Sequence, residues 1–457
     1  MPVERLNEED ARILAREFGE VRGHICKVLV VDGEHRVDAL RGHVRARLGA
    51  VPRLCDCLVE APLGIAPPAW LPHEDFDLDR HVRDGGRARD HAQLERAVAA
   101  LMEARLDRDR PLWSIDLIAL DGGRSALVLR LHHCMADGAT AIRIVRDLLL
   151  DGDEPAPAPE PSEEAPAPEP AGGPTRAALL ADALRWRAAR IVRRSRVHGD
   201  VGGSRAQHRS ERLAVIRREL APRGHPSPLA QHVGPRRTAA FSSYPLDEIK
   251  AIAHGAPERA TVNDVVLAAV AGGLRRWLAH GGAKPHELGV KVPVSLHQPD
   301  ETDVANRDSF IVVDLPLDEP DPLARLLAIA TETRERKAAH DADELAAFFS
   351  DLGRMSKSVE QLAERWAMSP RVFALNVSNV PGPDGERTVM GARLLEMHSL
   401  AEIAERHVLR VAVVSAVGRL SFGLCADADA LERLDLVADG IGDELRALRG
   451  ALATADC

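Results

Sequence analysis

The chain runs to 457 residues, a length that calls for more than one hydrophobic core. Apolar residues make up 45% of it, enough to fill large cores, while aromatic residues make up only 3%, which argues against base-stacking platforms for nucleic acid. The formal charge of −10 is concentrated: seven of the acids fall between Asp151 and Glu169, the remainder is close to neutral, and no global basic field points to DNA or RNA.

The first ten residues are charged and lack the apolar stretch of a signal peptide. Residues 25–31 read as a strand and 37–48 as a helix. Residues 94–106 carry Leu94, Ala97, Val98, Leu101 and Leu106 on one helical stripe. Residues 117–120 and 125–131, on either side of Asp121-Gly122-Gly123, predict a hairpin, and 139–149 return to a helical period. Residues 152–175 are Pro, Ala and Glu with little else, a solvated linker and the clearest boundary in the chain. The stretch from 176 interleaves Arg185, Arg187, Arg190, Arg193, Arg194 and Arg196 with Leu184, Trp186, Ile191 and Val192. It reads either as a solvated helix bridging two domains or as a basic amphipathic helix touching an anionic membrane surface.

Beyond residue 235 a second α/β unit is expected, with a helix over 261–281, strands over 290–296 and 309–315, a helix over 322–340 and a hairpin over 409–417 and 419–425. The division is therefore 1–151, linker 152–175, basic helical connector 176–234, and 235–457. The longest apolar run, 265–274, is too short for a bilayer, which needs about 18–20 residues. Six scattered cysteines (Cys26, Cys55, Cys57, Cys134, Cys425 and Cys457) offer neither a zinc spacing nor a disulfide framework, so the expectation is no metal and a reducing cytosol.

The chemistry concentrates at His132-His133-Cys134-Met135-Ala136-Asp137-Gly138. If 125–133 is a strand running into a loop, alternation puts Leu127, Leu129, Leu131 and His133 on one face and Arg130 and His132 on the other. The two histidines then diverge, which disfavours a shared metal and separates their roles. His133, on the apolar side, would be desolvated and neutral, as a general base for an alcohol must be. His132 would support it. Asp137 is placed to cap the following helix and hold the loop, and Gly138 permits close approach. Cys134 is a weak candidate nucleophile, because a chain neighbour of His133 tends to point away from it.

The pattern His132-His133-x-x-x-Asp137-Gly138 resembles the signature of the coenzyme A-dependent acyltransferase superfamily, which includes chloramphenicol acetyltransferase and condensation domains. The block 106–113 ending in Pro111-Leu112-Trp113, Asn263-Asp264 within 261–267, Val292-Pro293-Val294-Ser295-Leu296, Ser378-Asn379-Val380-Pro381-Gly382-Pro383, and Asp75-Phe76-Asp77-Leu78 with His81-Val82-Arg83 are similar to blocks of the bacterial wax ester synthase/diacylglycerol acyltransferases. His297, where that family carries Arg, and Ala305 before Asn306, where it carries Gly, depart from it.

The resemblance implies an α/β (α+β) fold of two chloramphenicol-acetyltransferase-like subdomains, mixed sheets with flanking helices, and a tunnel between them with His133 at its centre. It implies transfer of a fatty acyl group from acyl-CoA, a co-substrate rather than a bound cofactor, to the hydroxyl of diacylglycerol or a long-chain alcohol. Asn263, Asp264, Ser378 and Asn379 are the candidate substrate-binding residues. Thr261-x-x-Asp264 equally reads as a capping box, Trp113 as a core anchor, and 378–383 as a rigid turn. The rival readings are a condensation-type transferase acting on carrier-bound substrates and a degenerate lipid-binding paralogue. The expected location is the cytoplasm, with peripheral contact at the inner face of the plasma membrane or at lipid droplets if the arginine-rich segment binds a surface.

Overall fold

The computed structural model describes residues 3–152, 175–196, 214–223, 227–295, 308–339, 341–355 and 357–455. The linker other than residues 152 and 175, residues 197–213 of the connector, and His297, Ala305 and Asn306 lie outside the described residues.

Strand β1 (His24–Val31) is rich in β-branched residues and buried along its whole length. It lies mid-sheet because two further strands pair with it, one on each side. Strands β2 (Asp56–Val59) and β3 (Ala69–Pro72) form a separate ribbon, while β4 (Val82–Ala88), β5 (Trp113–Leu120) and β6 (Arg124–His132) extend the main sheet. The expected hairpin is β5–β6, in register from Trp113↔Leu131 to Leu120↔Arg124. The second half supplies β7 (Arg237–Pro245), β8 (Leu288–Ser295), β9 (Asp308–Leu315), β10 (Leu375–Pro381), β11 (Thr388–Val389), β12 (Ala392–Ala401), β13 (Leu409–Ala416) and β14 (Arg419–Asp427).

These strands build two six-stranded mixed sheets, ordered β11-β12-β1-β6-β5-β4 and β7-β14-β13-β10-β8-β9. Parallel pairs occur at β4–β5, β10–β13 and β10–β8. Helices flank both sheets, as the fold class required. The expected division at residue 235 does not describe where every strand goes. Strands β11 and β12 leave the second half and complete the first sheet, β12 pairing antiparallel with β1 from Ile25↔Ala401 onward. Leu394, Met397 and Ala401 join the apolar cluster on one face of this sheet and Leu400 the cluster on the other, so β12 is buried on both faces where it pairs with β1. At the crossing, Gly423 of β14 lies so close to the Ser399 carbonyl of β12 that a methyl group there would collide with it.

Residues 378–381, expected as a rigid turn, are instead the end of strand β10. Pro381 sits at its last position, where a missing N–H costs the ladder little, and Val377 and Val380 favour extension. The arginine-rich helix Arg176–Arg196 docks on the first half of the chain. Leu179 and Ala183 are buried, and Asp182 pairs with Arg5 at 2.7 Å.

The helix Val262–His280 is apolar nearly all round and packs beneath the second sheet against the helix Leu434–Ala455. Its start is a capping box: Thr261 accepts from the Asp264 amide, and the Asp264 carboxylate accepts from the Thr261 amide at 2.7 Å. The other Asp264 oxygen accepts from Thr333 Oγ1 at 2.6 Å. Asp264→Ala is therefore expected to cost about 2 kcal/mol, a lost cap plus an orphaned buried hydroxyl. A lowered urea midpoint with unchanged m-value checks it.

Candidate active site

Strand alternation divides the residues that lead into the turn between two faces of the sheet. Leu127, Leu129 and Leu131 join one apolar cluster, together with Cys134, Met135 and Ala136 of the following turn. Arg130 and His132 occupy the opposite face and are fully enclosed. The turn is closed by amides of Met135 and Ala136 on the His132 carbonyl, at 2.9 and 3.3 Å. Asp137 then caps the helix Gly138–Leu148, its Oδ1 accepting from the Thr140 amide at 2.6 Å.

His132 is locked. Its Nδ1 accepts from the Cys134 amide at 3.1 Å, so the proton sits on Nε2, which faces Glu17 Oε2 at 3.4 Å. Glu17 is buried beside Arg108, whose Nε donates to it at 2.8 Å. Burial raises the Glu17 carboxyl, but His132 and Arg108 outweigh it and hold the group below its ordinary value. The chain Arg108–Glu17–His132–Cys134 N thus fixes the shape of the turn. Glu17 was not legible in the sequence. Arg108 lay within the quoted 106–113 block, but nothing there pointed to this pairing.

His133 is held by its backbone and left open at its ring. Its amide donates to the Gly23 carbonyl at 2.9 Å. Its Nδ1 is sealed from solvent without a hydrogen-bond partner, yet the residue is only partly buried. The edge that can meet a ligand is therefore Nε2. Burial, with help from the Arg410 charge, lowers the imidazole to about 4, against smaller opposing effects from its own carbonyl and Asp137. The ring is neutral at physiological pH and can accept a proton. An acid limb in kcat/KM is accordingly expected near pH 4, with a flat profile between pH 5 and 8, because the basic form persists above the depressed pKa. Initial rates across that range check the sign: a limb near the ordinary histidine value of about 6.5 would show that burial does not act.

Cys134 is buried, and burial pushes its thiol far above the usual range, which removes it as a nucleophile at neutral pH. Lys27 lies on the same strand face as Leu129 and donates to Ser399 Oγ at 2.7 Å. Burial lowers its ammonium to about 8, and Asp137 pulls the other way.

The second sheet meets the motif at β10. A Cβ on Gly138 would stand 2.9 Å from Val380 Cγ2, so only glycine lets the two halves close here. Asn376 and Ser378 share the face of Val380, and across the ladder they stand beside Arg410 and Ala412 of β13. Asn379 points to the opposite face, with core residue Val377. Asn263 is half-buried in the first turn of its helix, and its side chain makes no hydrogen bond to the described residues. Asp264 has both oxygens committed to Thr261 and Thr333, so the expected substrate contact gives way to a structural pin. Trp113 is a core residue, its indole N–H donating to the Leu54 carbonyl at 2.7 Å. Among the described residues no His/Cys/Asp/Glu group is arranged to hold a metal ion.

Known proteins resemble this chain in sequence and in fold. Residues 6–266 match the wax ester synthase/diacylglycerol acyltransferase catalytic domain, and residues 304–449 match the WS/DGAT C-terminal domain. A protein of Mycobacterium tuberculosis (strain CDC 1551 / Oshkosh), named as a diacylglycerol O-acyltransferase, is 30% identical and aligns over 99% of this chain and 100% of its own length. The solved wax ester synthase/diacylglycerol acyltransferase from Marinobacter aquaeolei VT8 superposes with a TM-score of 0.69 at 23% identity, covering 98% of this chain and 100% of that one. A mutant starter condensation domain of rhizomide synthetase, solved with C8-CoA and Leu-SNAC, superposes with a TM-score of 0.56 at 12% identity, covering 100% of this chain and 95% of that one. At these identities the two structures speak for the fold alone. The sequence matches carry the assignment: the chain belongs to the wax ester synthase/diacylglycerol acyltransferase family and is an acyltransferase.

Proposed function

We propose that the enzyme moves a fatty acyl group from acyl-CoA to the hydroxyl of diacylglycerol or of a long-chain alcohol, with His133 as general base. The observation that carries this reading is the His133 ring: neutral, sealed at Nδ1 and open at Nε2, on a turn fixed from both sides. His133 Nε2 takes the proton of the acceptor hydroxyl, and the oxygen attacks the thioester carbon. The carbonyl electrons move to oxygen. They return as the C–S bond breaks, and the thiolate of coenzyme A takes the proton back from the imidazolium. His132 and Asp137 act by holding the turn. Ser378, on the face of β10 turned to Gly138, is a candidate hydroxyl for this path.

The relatives named for diacylglycerol and for wax esters support an apolar alcohol as acceptor, and a fold relative solved with C8-CoA supports the donor. No described helix is long and apolar enough to cross a membrane. Such acceptors would then be met at a lipid surface, and the arginine-rich helix is the candidate contact. Purified protein with labelled palmitoyl-CoA and either dioleoylglycerol or hexadecanol tests the function. Labelled ester from at least one acceptor is expected, and ester from neither would refute it. Flotation with anionic liposomes tests the surface. Loss of flotation when Arg185 and Arg187 become Gln is the expected outcome, and unchanged flotation or none would refute it.

A further inference from the structure

Arg410 is a half-buried cation, with its Nε sealed from solvent, that the mechanism above leaves without a task. On β13 it shares the inward face of Ala412, Val414 and Ala416, and the last two pack in the cluster that contains the histidine turn. One of its nitrogens, Nη1, donates to the Glu402 carbonyl at 3.2 Å. The Glu402 amide in turn donates to the His24 carbonyl, and the neighbouring Gly23 carbonyl receives the His133 amide. The guanidinium is thus anchored to the same short backbone node as the His133 amide.

The anchoring is incomplete. Arg410 Nε is buried with no acceptor. Its cross-strand neighbour Asn376 has a buried Oδ1 with no donor. Two adjacent residues with complementary unmet needs could satisfy each other, yet they do not. The nearby carboxylate of Glu402 does not serve Arg410 either: its Oε1 accepts from Arg237 at 2.7 Å, and its Oε2 is buried without a hydrogen-bond partner. A buried guanidinium with unused donors is costly and is retained where a ligand completes it. An acyl chain and an apolar alcohol offer little for a cation to bind. The oxygen that becomes negative is the thioester carbonyl.

We propose that Arg410 is a further catalytic residue, whose guanidinium, braced on the Glu402 carbonyl, donates to the thioester carbonyl oxygen of the acyl-CoA as it becomes the oxyanion. Asn376 lines the same level of the face. This assignment rests on the proposed acyl transfer. The electron pair that arrives on the carbonyl oxygen when the hydroxyl attacks is held there by Arg410 until the C–S bond breaks, and no further reactant is needed. The charges that act on the His133 imidazole are Arg410 and His132, which lower it, and Asp137, which raises it.

The test compares Arg410→Ala, Arg410→Gln and Arg410→Lys with wild type and with His133→Ala, all checked for folding by circular dichroism. An oxyanion donor acts in the transition state, so Arg410→Ala should lower kcat about 100-fold or more with KM nearly unchanged. Arg410→Lys, which keeps the charge, should recover part of that loss. Removing the cation should also move the acid limb of kcat/KM to higher pH, which a merely structural residue would not do. Unchanged kcat in folded Arg410→Ala or Arg410→Gln, or a loss confined to KM, would overturn the assignment. If Arg410→Ala does not fold, the same decision is read from Arg410→Gln and Arg410→Lys. Inactive His133→Ala beside fully active Arg410 variants would remove Arg410 alone, whereas active His133→Ala would remove the acyl-transfer mechanism itself.

Discussion

His133→Ala is expected to lower kcat for ester formation by roughly two to four orders of magnitude, the range of general acid–base catalysis by a positioned side chain. The fold should survive, because the His133 ring makes no side-chain hydrogen bond and the turn is closed by other groups: the His132 carbonyl, the Cys134 amide and the Asp137 cap. A thermal midpoint close to wild type beside the lost turnover would separate chemistry from stability. His132→Ala should behave differently. It takes the imidazole away from the buried Glu17 carboxylate, so stability and kcat should fall together. Wild-type turnover by folded His133→Ala would remove the base from the mechanism.

Gly423→Ala is expected to be the most damaging of the small substitutions in the core. The added methyl meets the Ser399 backbone carbonyl, which cannot swing away as a side chain could. Ser399 is fixed by its pairing with Lys27 across β12–β1 and by the Lys27 ammonium on its hydroxyl. Overpacking of this kind costs about 3 kcal/mol, at the upper end of the usual range. Equilibrium unfolding in urea measures it, with a lowered midpoint as the expected result. Because β12 carries Met397 and Leu400 into the first sheet and Gly423 belongs to the second, activity should fall as well. An unaltered midpoint would mean that the two sheets are not in contact there.

The parts of this molecule that were legible in the sequence are those with a local signal. The β5–β6 hairpin showed through its glycine turn and the helix Val262–His280 through its capping box and apolar run. Alternation across Leu127, Leu129 and Leu131 marked the apolar face of β6 and set Arg130 and His132 on the other. What was hidden depends on contacts distant along the chain. Strands β11 and β12 look like any other second-half strands, and their place beside β1 follows from the free edge of another sheet. Glu17 is an unremarkable acid after a short helix until the fold carries it to His132, 115 positions further along the chain. Arg410 looks like a solvated residue at the start of a strand, yet its face is turned inward by the β13–β14 register. The turn expected at 378–383 misread Pro381, because proline ends a strand as readily as it builds a loop.

Direct transfer, with no acyl-enzyme, is the central claim, and it is tested without an acceptor. Wild-type enzyme is incubated with palmitoyl-CoA alone and its intact mass is measured, before and after adding the alcohol. The account predicts the unmodified mass throughout, with ester and free coenzyme A appearing together only once the alcohol is present. A palmitoyl adduct on the protein, above all on Cys134, would contradict it.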